Sequence, residues 1–130
     1  MKMKKVKTAV IGCGMISNIY LRNLKKLFYI IDLVAVCDNN EKAARKQAEA
    51  FQIAHVMTSA EIAASSEIEL VVCLTGPSAH YSVIKEMLLA GKHVYTEKMF
   101  TTNLKEAEEL VELAERKNLY LGVAPDTVLG

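Results

Sequence analysis

Val6-Lys7-Thr8-Ala9-Val10-Ile11-Gly12-Cys13-Gly14-Met15-Ile16-Ser17 is an apolar run that breaks at a glycine-bearing turn and resumes as a helix pattern, with Ile16, Ile19, Tyr20, Leu24, Leu27 and Phe28 at helical spacing. A strand entering a helix through such a turn exposes the first-turn N–H groups and the positive end of the helix dipole, which together favour a pyrophosphate. Gly12 is expected to take a backbone conformation closed to side chains, and Gly14 to let the backbone approach the phosphates. Gly12, Cys13, Gly14, Met15 and Ile16 are therefore the expected pyrophosphate loop, with the small Ser17 standing where a third glycine is usual. The next strand, Leu33-Val34-Ala35-Val36-Cys37, ends in Asp38, and 38 − 17 = 21 residues separate that acid from the end of the turn. A ribose-binding acid is expected at about 20 residues, so the pattern implies a dinucleotide-binding fold.

The bulk numbers fit one such domain. The chain has 130 residues, 52% of them hydrophobic, enough for a core between a sheet and two helix layers. Sixteen basic side chains against fifteen acidic leave a net charge of +1, which supplies no general field for nucleic acid or an anionic membrane. Four lysines crowd the first seven residues, but Gly12 and Gly14 interrupt the apolar stretch that a signal peptide would need. No apolar run approaches a membrane span, and the expected location is cytoplasmic. Cys13, Cys37 and Cys73 are odd in number and match no metal spacing; they read as reduced, buried thiols. A redox role for Cys13, beside a helix N-terminus, is the minor alternative. No metal site is expected.

Strand and helix patterns alternate to the end of the chain. Glu41 to Phe51 reads as a helix with Ala44, Ala48 and Phe51 along one face, and Ile53 to Met57 as a short third strand. Thr58 and Glu61 have capping-box spacing for a helix to about Ala64. Leu70 to Leu74 is apolar without alternation, as expected of a parallel strand covered on both faces. A helix from about Ser78 carries Val83, Ile84, Met87 and Leu88, with Gly91 as its C′ residue. His93 to Thr96 is the fifth strand and Leu119 to Val123 the sixth. Between them Asn103 and Glu106 cap a helix whose Leu104, Ala107, Leu110, Val111 and Ala114 are expected to face the core. Six strands alternating with helices predict an α/β fold: a doubly wound, parallel six-stranded Rossmann sheet of order 3-2-1-4-5-6, with helices on both faces. Residues 1–123 are the expected core of a single domain covering 1–130.

Right-handed crossovers would gather Gly12, Asp38, Thr75 and Glu97-Lys98 along one carboxyl edge. Asp38 can accept hydrogen bonds from both adenosine ribose hydroxyls and would repel a 2′-phosphate. Asn39 and Asn40 follow it, with no arginine immediately at hand, so NAD is favoured over NADP. Thr75, followed by Gly76-Pro77, can bond cofactor hydroxyls or act as a turn residue. His80 can approach the cofactor edge or make a structural hydrogen bond, and His55 and His93 read as structural. Lys98 can donate to a carbonyl or alcohol oxygen, although solvated lysines at strand ends are common.

Thr75-Gly76-Pro77-Ser78-Ala79-His80, followed by Gly91-Lys92-His93-Val94-Tyr95-Thr96-Glu97-Lys98, resembles the Gfo/Idh/MocA oxidoreductase family over essentially the whole chain. Gly122 to Gly130 also resembles a stretch found in a subset of that family. The resemblance implies hydride transfer at a hydroxyl carbon of a sugar, cyclitol or related compound. It places Lys98 on the substrate as a catalytic residue and Glu97 near the cofactor, with Met99 where the family has proline. Gly76, Pro77 and His80, within the first of these segments, join the expected cofactor contacts. It also implies a further substrate domain, so residues 124–130 are the expected start of a crossover to it, and the chain a fragment that binds cofactor without turnover. The expected partners are a small, carbohydrate-like substrate and further copies of the chain. Two other readings remain: a stand-alone NAD-sensing or interaction module, and a methyltransferase, against which the Gly91–Lys98 segment counts.

Overall fold

The computed structural model describes residues 5–12, 14, 17–26, 30–96 and 103–123. In chain order the elements are β1 (Val6–Ile11), α1 (Ser17–Lys26), β2 (Ile31–Cys37), α2 (Glu41–Phe51), β3 (His55–Val56), α3 (Ser59–Ala64), β4 (Leu70–Cys73), α4 (Pro77–Leu89), β5 (His93–Thr96), α5 (Leu104–Arg116) and β6 (Leu121–Val123). The strands form one sheet of order β3-β2-β1-β4-β5-β6, parallel at every pairing. This is the expected Rossmann topology, whose chain reversal lies between β1 and β4.

The local chemistry sets the element ends. Asn40 caps α2 through its side-chain oxygen, which accepts from the amides of Lys42 and Ala43. Thr58 and Glu61 make a reciprocal capping box at α3. Pro77 opens α4, where a missing N–H costs nothing, and Gly91 follows its C-cap with φ +86°. Asn103 caps α5 in the same way as Asn40 caps α2. The third strand is only two residues long, shorter than the apolar run around it suggested.

Both faces of the sheet are covered. One core joins Val10, Leu33, Val36, Val72 and Leu74 of the sheet region to Leu21 and Leu24 of α1 and Ala44 of α2. The other joins Ala9, Ile11, Ala35, Val71, Cys73 and Val94 to Ile62, Ile84, Met87, Leu88, Leu110, Leu113 and Ala114 of the three later helices. Between them β2 changes phase. Thr8 pairs with Leu33 but Ala9 pairs with Ala35, so Val34 is an extra residue in the strand. Simple alternation would put Leu33 and Ala35 on one face. The insertion instead sends Ile31 and Leu33 to the α1–α2 side, and Ala35 and Cys37 to the other. It thereby sets the phase in which the chain leaves the strand at Asp38.

Two apolar positions of α5 depart from the sequence expectation. Leu104 is 76% and Val111 45% exposed, whereas Leu110, Leu113 and Ala114 are buried. The helix presents a narrower stripe to the molecule than its apolar residues span, and Leu104 and Val111 lie outside it. α4 and α5 are tied by polar contacts as well. Tyr81 Oη donates to Glu109 Oε1 at 2.6 Å, and Lys85 Nζ lies 2.7 Å from Glu109 Oε2. Lys85 also donates to Tyr81 Oη at 3.2 Å. These bonds hold Glu109 below its ordinary carboxylate pKa, Lys85 contributing most and Tyr81 next.

His93 is structural, its Nδ1 accepting the Tyr120 amide at 3.0 Å. Lys92 is 5% exposed and donates through Nζ to the carbonyl of Ser65, the C-cap of α3. Burial lowers its pKa.

Candidate functional site

The carboxyl ends of β1, β2 and β4 converge on a cleft of about 670 Å³. Gly12 lies at its base, with φ +106° and its amide donating to Cys37 O at 2.7 Å. This bond extends the β1–β2 ladder into the turn, while Leu74 N donates to Ile11 O at 2.8 Å from the other side. The turn is thus pinned between two strands. A Cβ built on Gly12 would meet the backbone of Leu74 and Thr75 at 2.7 to 2.9 Å, so both conformation and space demand glycine there.

Gly14 differs. A Cβ there would have nothing within 4 Å, and the residue lines the cleft. Its missing side chain leaves room beside the N-terminus of α1, suiting an anionic group that must approach the backbone closely. Gly76, which caps α4 from the opposite wall, is equally open.

Asp38 leaves the end of β2 into the same cleft. Its Oδ1 accepts the Asn40 amide at 2.8 Å, which orients the carboxylate just before α2 begins. Thr75 follows β4, its hydroxyl 3.4 Å from Cys73 Sγ. Thr96 is buried and donates from Oγ1 to Cys73 O at 3.1 Å, joining the end of β5 to β4. Cys37 and Cys73 are buried thiols outside any disulfide. Burial, with a smaller contribution from Asp38, pushes Cys37 up to about 11, so it stays protonated at neutral pH.

The fold brings together Gly12, Gly14, Asp38, Thr75 and Gly76 among the expected site residues. Pro77 opens the helix beside them. His80 sits in the first turn of α4 with its side chain buried, at 4% exposure, and is not part of the cleft wall. Cys13, Met15, Ile16, Glu97 and Lys98 lie outside the described residues.

The cleft also recruits residues that the sequence pattern does not assign to the site. Met57, Thr58, Ser59 and Glu61 line it from the β3–α3 junction, and Glu41 and Arg45 from the first turns of α2. Arg45 donates through Nε and Nη2 to Glu41 Oε1 at 3.3 and 3.2 Å. Its signal lay in the helix period, because a residue four positions after Glu41 shares its face. Among the described residues no group of three His, Cys, Asp or Glu side chains is placed to hold a metal. No described helix is long and apolar enough to cross a membrane.

Comparison with known proteins agrees with this geometry. A family model described as an oxidoreductase family with an NAD-binding Rossmann fold matches residues 6–124. An uncharacterized oxidoreductase of Schizosaccharomyces pombe is 41% identical over 124 residues, 93% of this chain and 34% of the relative. An inositol 2-dehydrogenase/D-chiro-inositol 3-dehydrogenase of Lactiplantibacillus plantarum is 28% identical over 118 residues, 85% of this chain and 32% of the relative. Among solved structures, the WlbA dehydrogenase of Chromobacterium violaceum, in complex with NADH and UDP-GlcNAcA, superposes with a TM-score of 0.87 at 27% identity. The match covers 95% of this chain and 36% of that one. The chain therefore spans about a third of the length of the relatives it matches.

Proposed function

The chain belongs to the Gfo/Idh/MocA oxidoreductase family as its NAD(P)-binding Rossmann domain, and from that premise we propose that it holds NAD for hydride exchange with a hydroxyl carbon of a carbohydrate-like substrate. The observation carrying the reading is the cleft itself. A glycine turn with an open position at Gly14 stands beside a helix N-terminus, and the Asp38 carboxylate stands at the end of the neighbouring strand.

The residues present fit a dinucleotide. Gly12 and Gly14, with the loop residues Cys13, Met15 and Ile16, would receive the pyrophosphate, and Asp38 the adenosine ribose hydroxyls. Thr75, Gly76 and Pro77 would bound the site from the β4–α4 side, with His80 supporting that turn from within. When bound, the nicotinamide supplies or accepts the hydride. In this reading Lys98 donates to the reacting oxygen of the substrate and Glu97 lies near the cofactor. The preference for NAD rests on the Asp38 charge, which would oppose a 2′-phosphate. A sugar or cyclitol substrate is supported by the relatives, one an inositol dehydrogenase and one solved with a sugar nucleotide. The family match over residues 6–124 supports a cofactor core that runs through residue 123. Exposed Leu89, Leu104 and Tyr120 support burial against such a domain or another copy of the chain.

Calorimetric titration of the protein with NAD⁺ tests the reading. Saturable binding is expected, weakened at least about tenfold by Gly14→Val, which fills the open cradle; that factor corresponds to about 1.4 kcal/mol. The fold should tolerate this change, because the new Cβ meets no neighbour. Absence of binding, or binding indifferent to Gly14→Val, overturns it.

A further inference from the structure

We propose that Glu41 and Arg45 together set the choice between NAD and NADP, with Glu41 withholding the Arg45 guanidinium from a 2′-phosphate; this rests on the cofactor reading above. Glu41 and Arg45 line the same cleft as Asp38. Glu41 opens α2, three residues after Asp38, and Arg45 follows one helical turn later. A group attached at the 2′-oxygen of a ribose held by Asp38 would enter this end of the cleft.

The charges there are unequal. Asp38, Glu41 and Glu61 present three carboxylates among the described lining residues, against the single guanidinium of Arg45. Both contacts made by that guanidinium go to one oxygen, Glu41 Oε1, at 3.3 and 3.2 Å. The pair is exposed, 67% for Arg45 and 63% for Glu41, so water screens it and a better acceptor can compete for the arginine. A phosphate is such an acceptor, because it matches the guanidinium fork with two charge-assisted hydrogen bonds. Glu41 opposes that exchange twice. It occupies the fork, and its charge repels the incoming phosphate. Asp38 supplies the rest of the discrimination.

Arg45 is thus a ligand for a 2′-phosphate kept in reserve, and Glu41 is the residue that keeps it there. Loss of the Glu41 carboxylate should admit NADP without removing the ribose contact of Asp38. The 2′-hydroxyl form, which needs no cation at this position, should be almost indifferent to both residues.

Titrations of the protein with NAD⁺ and NADP⁺ at low ionic strength test this, using Glu41→Gln, Arg45→Gln and the double variant. Both side chains are exposed and Asn40 still caps the helix, so the variants should melt within a few degrees of the parent, as circular dichroism would verify. Glu41→Gln is expected to tighten NADP⁺ about five- to tenfold, the scale of a recovered charge-assisted contact, and NAD⁺ less than about twofold. The gain should fall with added salt and, measured against Arg45→Gln, shrink in the double variant to the smaller part owed to relieved repulsion. An NADP⁺ gain undiminished by removal of Arg45 would reduce Glu41 to a repulsive charge and overturn the proposal. Unchanged NADP⁺ affinity in Glu41→Gln, with NAD⁺ still binding, overturns it and leaves the cofactor reading intact. Failure of the parent to bind either dinucleotide overturns both.

Discussion

A methyl group on Gly12 would lie 2.7 Å from the carbonyl carbon of Leu74 and 2.9 Å from its oxygen. The contact joins the turn after β1 to the end of β4, the two strands between which the sheet order reverses. Neither partner can yield cheaply, since both are backbone and Leu74 N already donates to Ile11 O. Gly12→Ala also meets a φ of +106°, closed to side chains. The variant is expected to lose about 2 kcal/mol or more of stability, from combined backbone strain and overpacking. Urea unfolding followed by circular dichroism measures the loss. A midpoint equal to the parent's would show that the turn can relax.

Asp38→Ala should weaken NAD⁺ binding by roughly ten- to a hundredfold, because hydrogen bonds to a charged acceptor are worth about 1.5–3 kcal/mol. Affinity for NADP⁺ should fall less, narrowing the preference. Titration calorimetry with both dinucleotides reads this directly. Unchanged affinities for both would remove Asp38 from the site.

The Tyr81–Lys85–Glu109 contact carries a pH signature. Glu109 has a lowered pKa in the folded protein, so its contribution is fully present above the ordinary value of 4.5 and is lost as pH falls through the lowered value. Glu109→Gln should therefore lower the thermal midpoint at pH 7 more than at pH 3. Melting curves at the two pH values check the sign, and an equal loss at both would assign the effect to something other than charge.

Lys98 would be tested in an enzyme that carries this domain together with a substrate domain. Lys98→Met keeps much of the side-chain length and removes all three donors. Turnover is expected to fall about 10²–10⁴-fold, the range of a general acid or base, with NAD⁺ affinity almost unchanged. Steady-state kinetics at saturating cofactor measures it, and parental turnover would return Lys98 to the surface.

By itself, the sequence determined the architecture and part of the cleft wall. The strand–glycine–helix passage at Gly12, the acid at Asp38 and the caps at Thr58 and Asn103 are local signals. Each depends on backbone conformations and hydrogen bonds spanning a few residues, and alternation of strand and helix then leaves few sheet orders open. Tertiary structure decided what local pattern cannot carry. The extra residue at Val34 reverses the faces of β2 within an unbroken apolar run, where both phases look alike. Leu104 and Val111 read as core because α5 is apolar along a wide stripe, but packing buries only the part carried by Leu110, Leu113 and Ala114. Arg45 is seven residues from Asp38 along the chain, whereas one turn of α2 beyond Glu41 returns it to the same cleft. Thr58, Ser59 and Glu61 reach the site through the β2–β3 pairing, a contact between segments about twenty residues apart. Periodicity reports which face of an element is apolar; only the packed sheet decides which faces meet.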